Sequence, residues 1–246
     1  MRFTDRVDAG RRLARRLAHL RDADVVVLGL PRGGVPVAFE VAQALHAPLD
    51  VIVTRKLDAP FQPELTMGVV AENGIRTIYP KVLRRAGVGP DELAELERVM
   101  RVELDHRVQQ LLRGRSRIPL AGRTALVVDD GITTGTTAEA ACRAARTLGS
   151  QRIVLAVPVA PADAVTALGR IADEIVCTET PAWVPAISRW YGDFSPTSDE
   201  EVGALLERAA VPPAPAEWMG GPLDRGVDVL VEGGTVLLSG RPVVAR

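Results

Sequence analysis

Apolar residues fall into two rhythms along this chain. Short runs of aliphatic and β-branched residues recur at 24–28, 49–54, 124–128, 152–159 and 174–178. Such runs, apolar at nearly every position, read as strands covered on both faces. Between them the apolar residues take helical spacing. Val7, Ala9, Leu13, Leu17 and Leu20 mark an amphipathic helix over 5–20 with an arginine-covered outer face. Further helices are predicted over 35–45, 138–148 and 161–171. A long one follows Gly89-Pro90-Asp91 to about residue 112, apolar at Leu93, Leu96, Val99, Met100, Leu104, Val108 and Leu111. Its other face is charged, with Glu97–Arg101 and Glu103–Arg107 spaced for ion pairs. Strand and helix alternate over 24–178, which predicts a parallel sheet with right-handed crossovers.

The stretches outside this rhythm are also informative. Residues 58–64 read as a polar, proline-bearing loop, followed by strands at 67–71 and 75–79. Residues 113–123 form a basic linker. Trp183, Trp190, Tyr191 and Phe194 cluster after the last core strand, and their expected use is apolar packing. A closing helix spans 198–209, where Ser198 and Glu201 have capping-box spacing. Residues 211–216 are a proline-rich linker, and 227–231 and 235–238 flank Glu232-Gly233-Gly234 as a hairpin. The expected organisation is a domain over 1–210, with its core at 24–178 and a small hood at about 179–197, then an extension over 211–246.

Composition narrows the function classes. The chain has 246 residues, 47% of them hydrophobic, enough for one α/β domain plus an appendage. A net charge of −1 and 4% aromatic residues give no electrostatic or stacking case for nucleic acid. No apolar run reaches the length of about 18 residues that a bilayer span needs. The arginine-rich start, residues 1–16, lacks the apolar segment of a secretory signal, so a cytoplasmic protein is expected. Cys142 and Cys177 fall in core patterns and are expected to be buried and reduced.

The chemistry concentrates in Asp129-Asp130-Gly131-Ile132-Thr133-Thr134-Gly135-Thr136-Thr137, between a predicted strand and a predicted helix. Amides at a helix N-terminus point outward with the positive end of the dipole. Glycines let the backbone approach a ligand, and threonine hydroxyls add donors, which together make an anion cradle of phosphate size. Ionised Asp129 and Asp130 only accept hydrogen bonds, so they suit sugar hydroxyls or a magnesium shell. Acceptors for a diol beside a phosphate nest fit a ribose 5-phosphate. A plain capped turn would need one capping residue, not two acids, four threonines and two glycines. A second glycine-rich turn, Gly29-Leu30-Pro31-Arg32-Gly33-Gly34, follows the first strand and offers amides and one cation to an anion. The plainer account is a tight turn whose glycines need positive φ. Both loops would open at the carboxyl ends of parallel strands, where ligands bind in open α/β sheets. Arg55-Lys56 end the 49–54 run.

The 127–137 stretch resembles the PRPP-binding signature of type I phosphoribosyltransferases: apolar residues, two acids, then a Thr/Ser/Gly-rich loop. Gly131 stands where many members carry an aliphatic residue or Ser. The 29–34 turn resembles their pyrophosphate loop, which often holds a non-proline cis peptide. The resemblance covers roughly 1–210 and implies a Rossmann-like parallel sheet flanked by helices, with a hood over the site and here a C-terminal hairpin extension. It implies transfer of 5-phosphoribosyl from PRPP to a nitrogenous base or amine, with magnesium as cofactor and pyrophosphate released. Asp129 and Asp130 would hold the ribose, with Asp130 in a magnesium water shell. Thr133, Thr134, Gly135, Thr136 and Thr137 would bind the 5-phosphate. Arg32, Gly33, Gly34 and Lys56 would hold pyrophosphate. Glu64 would act from a mobile flap over the sugar. A homodimer without nucleic-acid or membrane partners is expected. The competing reading is a non-catalytic module that binds PRPP or a nucleotide.

Overall fold

The computed structural model of the protein describes residues 2–210 and three short strands at 229–232, 235–238 and 241–242. Helix α1 (Arg6–Arg16) comes first, capped by Asp5, whose carboxylate accepts from the Asp8 amide at 2.8 Å. Strand β1 (Val25–Gly29), helix α2 (Gly34–Leu45) and strand β2 (Leu49–Val51) form the first crossover. An arm follows, with strands β3 (Thr54–Ala59), β4 (Gln62–Ala71) and β5 (Arg76–Ile78) and helices α3 (Pro80–Ala86) and α4 (Pro90–Leu112). The chain then returns through β6 (Thr124–Val128), α5 (Thr136–Thr147), β7 (Arg152–Val159), α6 (Ala162–Leu168), β8 (Glu174–Glu179) and α7 (Asp199–Ala210).

The core sheet is parallel and runs in the order β2-β1-β6-β7-β8. Its strands are buried on both sides, as their unbroken apolar runs require. Leu13 of α1, Val41 of α2 and Leu206 of α7 pack on one face. Ala141 and Cys142 of α5 and Leu168 of α6 pack on the other. α5 presents mainly alanines, so it can approach the sheet closely. Gly29 is in register with Val128, and the Leu30 amide donates to the Val128 carbonyl at 2.9 Å. The loops after β1 and β6 therefore leave the sheet side by side. Both cysteines are buried, and burial pushes the Cys142 thiol up to about 12 and that of Cys177 to about 11.

Several expectations need correction. The 49–54 run is not one strand: β2 stops at Val51, and Thr54 begins the separate antiparallel sheet β3-β4-β5. The departure happens where the Val53 amide donates to Glu72 Oε1 at 3.0 Å instead of to a neighbouring strand. Arg55 and Lys56 thus stand within the arm, not at the end of a core strand. Residues 58–64 are not a loop either, because β3 and β4 pair up to Ala59 and Gln62 and leave Pro60 and Phe61 as the turn. In α4, Arg101 lies 3.9 Å from Glu97 as its spacing predicts. Glu103 instead meets Arg55 at 3.0 Å, and Arg107 pairs with Asp199 of α7. Tertiary partners outcompete an exposed same-helix pair, whose interaction is weak. Val7 is 37% exposed and does not join the buried face of α1.

The hood contains a single short turn over Ile187–Trp190. Phe3 bridges to Tyr191 in parallel, and the rings of Phe3, Tyr191 and Phe194 meet in tilted pairs with centroids 5.4 and 5.0 Å apart. Tyr191, Trp190 and Phe194 pack as expected, while Trp183 is 72% exposed. Ser198 Oγ accepts from the Glu201 amide at 3.1 Å at the start of α7. Beyond α7, β10 (Thr235–Leu238) pairs antiparallel with β9 (Val229–Glu232) on one side and with β11 (Arg241–Pro242) on the other. The linker predicted over 211–216 lies outside the described residues.

Candidate active site

Asp129 and Asp130 follow directly on β6, whose apolar residues are fixed in the sheet and carry the acids to its carboxyl edge. The 33–34 turn lies against them. A methyl at Gly33 would overlap Asp130 Oδ2, and one at Gly34 would stand 2.7 Å from the Val128 carbonyl and 3.0 Å from Asp129 Oδ1. These two glycines are therefore needed for close approach. Neither has positive φ, since Gly33 sits at −63° and Gly34 opens α2. The Pro31–Arg32 bond that precedes them is cis. The two motifs, about a hundred residues apart in sequence, form one surface.

The acids differ in their partners. Asp129 Oδ1 accepts from the Asp130 amide at 2.9 Å. Although Asp129 keeps part of its surface open, its carboxyl lies beneath Gly34, and that burial raises its pKa well above the ordinary value. The neighbouring Asp130 raises it further. Asp130 is 8% exposed, and burial raises its pKa too, opposed chiefly by the Arg6 guanidinium. Arg6 Nε donates to Asp130 Oδ2 at 2.9 Å, and Tyr191 Oη donates to the Asp130 carbonyl at 2.5 Å.

The threonine loop runs out from here. Ile187 and Val159 fill the space over Gly131, which leaves no room for a side chain there. The Ile132 amide donates to the Val159 carbonyl at 2.8 Å, pinning the loop to β7. Thr133 and Thr134 are exposed, and Thr134 Oγ1 lies 3.3 Å from Thr136 Oγ1. Gly135, at φ +80°, takes the N-cap position of α5, and no side chain caps that helix. Its first-turn amides, around Thr136 and Thr137, thus face outward for an anion.

Arg32 extends from the turn, its side chain 56% exposed and 4.0 Å from Asp199. The structure thus brings Asp129, Asp130, the 133–137 loop, Gly33, Gly34 and Arg32 to one edge of the sheet. It does not bring Lys56 or Glu64 into contact with them. Lys56 lines a groove between β3 and α4 beside Leu96 and Met100, and Glu64 is exposed on β4. Among the described residues, no hydrogen bond or ion pair ties either side chain to the acid loop. The sequence reading missed Arg6 and Asp199, and it named Tyr191 for packing but not for its bond to the Asp130 carbonyl. Arg6 sits in an arginine-rich helix where nothing in the pattern sets it apart from its neighbours.

A magnesium ion can be tested against this donor set. Asp129 and Asp130 supply two carboxylates, and among the described residues no group of three or more His, Cys, Asp or Glu could hold a metal. Two carboxylates without a cage suit magnesium that is held mostly by substrate phosphates and water. Among the described residues no helix is long and apolar enough to cross a membrane.

Comparison with known proteins identifies relatives of this chain. Two curated relatives, each called "Putative phosphoribosyl transferase", come from Mycobacterium tuberculosis strains CDC 1551 and H37Rv. Each is 54% identical over 207 residues, which is 84% of this chain. The chain spans only 47% of their length. Among solved structures it is similar to TT1426 from Thermus thermophilus, at 41% identity and a TM-score of 0.74, over 85% of this chain and 99% of that one. The Phosphoribosyl transferase domain family matches residues 4–186, and the chain belongs to that family.

Proposed function

We propose that this protein transfers a 5-phosphoribosyl group from PRPP to a nitrogenous base or amine and releases pyrophosphate. The observation that carries this reading is the packing of the Gly33–Gly34 turn onto Asp129 and Asp130, next to the uncapped start of α5. One surface then offers acceptors for ribose hydroxyls, amides for a 5-phosphate, and amides with Arg32 for a diphosphate. Bond breaking at the anomeric carbon develops positive charge on the sugar, and carboxylates beside it stabilise that charge. Bound magnesium would neutralise the leaving diphosphate, with Asp130 in its water shell. In this reading Glu64 reaches the sugar, and Lys56 the pyrophosphate, only if the β3–β4 hairpin closes over the site, which would also exclude water. A homodimer in the cytoplasm, with no nucleic-acid partner, belongs to the same reading.

The second reading is a regulatory module that binds PRPP or a nucleotide without turnover. It is favoured by one observation: Tyr191 and Phe194 of the hood are committed to packing rather than to an acceptor. A pyrophosphate-release assay with PRPP, magnesium and a panel of bases and amines separates the two. Release with at least one acceptor, lost in the Asp129→Asn/Asp130→Asn double variant, is the expected result. PRPP binding by calorimetry without release from any acceptor would favour the regulatory module, and absence of PRPP binding would overturn the transferase reading and leave only a nucleotide-binding module.

A further inference from the structure

We infer that Arg6 is a positioning residue, which fixes the Asp130 carboxylate for the sugar hydroxyls and fastens it to the hood. The inference rests on the phosphoribosyl reading above. Arg6 lies on the first turn of α1, far in sequence from both motifs. Its guanidinium nevertheless makes three contacts at once. Nε donates to Asp130 Oδ2 at 2.9 Å, Nη1 donates to the Ser195 carbonyl at 2.7 Å, and the plane lies over the Phe194 ring at 4.0 Å. The side chains of Arg6 and Asp130 are only 12% and 11% exposed.

An ion pair serving stability alone would need only the first contact. Here the second and third tie the same guanidinium to the hood, and the hood in turn grips the acid loop through Tyr191 Oη and the Asp130 carbonyl. The start of the chain is itself stitched to the hood. The Phe3 amide donates to the Trp190 carbonyl, and the Gly192 amide to the Phe3 carbonyl, both at 2.8 Å. Gly33 supplies the space that Asp130 Oδ2 occupies. A carboxylate has about four lone-pair sites, so one bond from Arg6 sets its orientation and leaves acceptors for two hydroxyls. The planar fork of arginine reaches Asp130 and Ser195 together, whereas a lysine ammonium is a point charge on a flexible stem. Geometry, rather than charge alone, is therefore the contribution assigned to Arg6.

The test uses the full chain and two separate ligands in the presence of magnesium, ribose 5-phosphate and pyrophosphate, with calorimetry as the readout. Arg6→Met and Arg6→Lys are both expected to weaken ribose 5-phosphate by about tenfold, the scale of one charged hydrogen bond. Pyrophosphate affinity should fall less than ribose 5-phosphate affinity, because Arg32 and the 33–34 amides keep their own donors for it. If Arg6→Met does not fold, Arg6→Lys, which keeps the charge, carries the test. Wild-type ribose 5-phosphate affinity in Arg6→Lys would overturn the inference, as would a parallel loss of both ligands, which marks a merely structural role. A wild-type protein that binds neither ligand would instead overturn the phosphoribosyl reading itself.

Discussion

Two adjacent carboxyls under a glycine turn are costly in the unliganded protein: burial disfavours both ionised forms, and Asp129 also meets the charge of Asp130, whereas Asp130 is offset by Arg6. Burial raises the pKa of Asp129 well above 3.8, and Asp130 adds to the shift. A raised acid binds its proton more tightly when folded. The penalty is therefore absent below the unfolded pKa, grows as pH climbs towards the folded one, and stays constant above it. Asp129→Asn should raise the melting temperature at neutral pH, with the gain fading as pH falls towards 4. For a chain of this length, each kcal/mol released moves the midpoint by about 2–4 °C. A pH series of thermal melts reads this directly, and a variant less stable at pH 7 than at pH 4, relative to wild type, would contradict the argument. The same substitution should cost PRPP binding, which would place the carboxyl among residues that give up stability for a ligand.

The arm of β3–β5, α3 and α4 joins the core through another buried charge cluster. Asp50 of β2 accepts from the Val51 amide at 2.7 Å, the Ile118 amide at 3.0 Å and Arg117 Nη1 at 2.9 Å. Arg117 also pairs with Glu72, at the end of β4, and Glu72 takes the Val53 amide where the chain leaves the core sheet. The basic linker therefore locks the base of the arm onto an edge strand. Burial raises the Glu72 pKa, with Arg117 the main opposing influence. Arg117→Met would leave two buried carboxylates without their cation. Loss of one partner of a buried pair costs about 3–5 kcal/mol in general, and the 31% exposure of Arg117 lowers this to about 2–3 kcal/mol. Urea denaturation should show that loss, and Glu72→Gln in the same chain should restore part of it. A change under about 0.5 kcal/mol would make the cluster a surface ion pair of little weight.

On the scale of the molecule, among the described residues, the acid loop, the glycine turn and their side-chain partners lie between Arg6 and Asp199. The family match covers 4–186. A chain ended after residue 210 should thus keep PRPP affinity within about twofold of the full chain, since additivity holds for distant groups. Calorimetry of the shortened protein checks this, and a tenfold loss would assign the extension a part in the site.

Much of this was legible in the sequence, for reasons of period and turn chemistry. A strand covered on both faces is apolar throughout, so β1, β6, β7 and β8 announce themselves, and β6 and β7 fall at their predicted bounds. The acid–threonine loop and the glycine turn were readable because each concentrates special residues in a short local stretch. Arg55 and Lys56 show where this reading fails: a strand's period does not reveal which sheet it joins, and Glu72, about twenty residues on, decides that β2 ends at Val51. Arg6 shows the same from the other side, since its role depends on Asp130, Ser195 and Phe194, none of them near it in the chain. Local pattern determined the elements, the two loops and their chemistry. Only the folded chain decided which loops touch, which glycines are needed for close approach, and which cation meets the buried acid, because those depend on contacts between residues far apart in sequence.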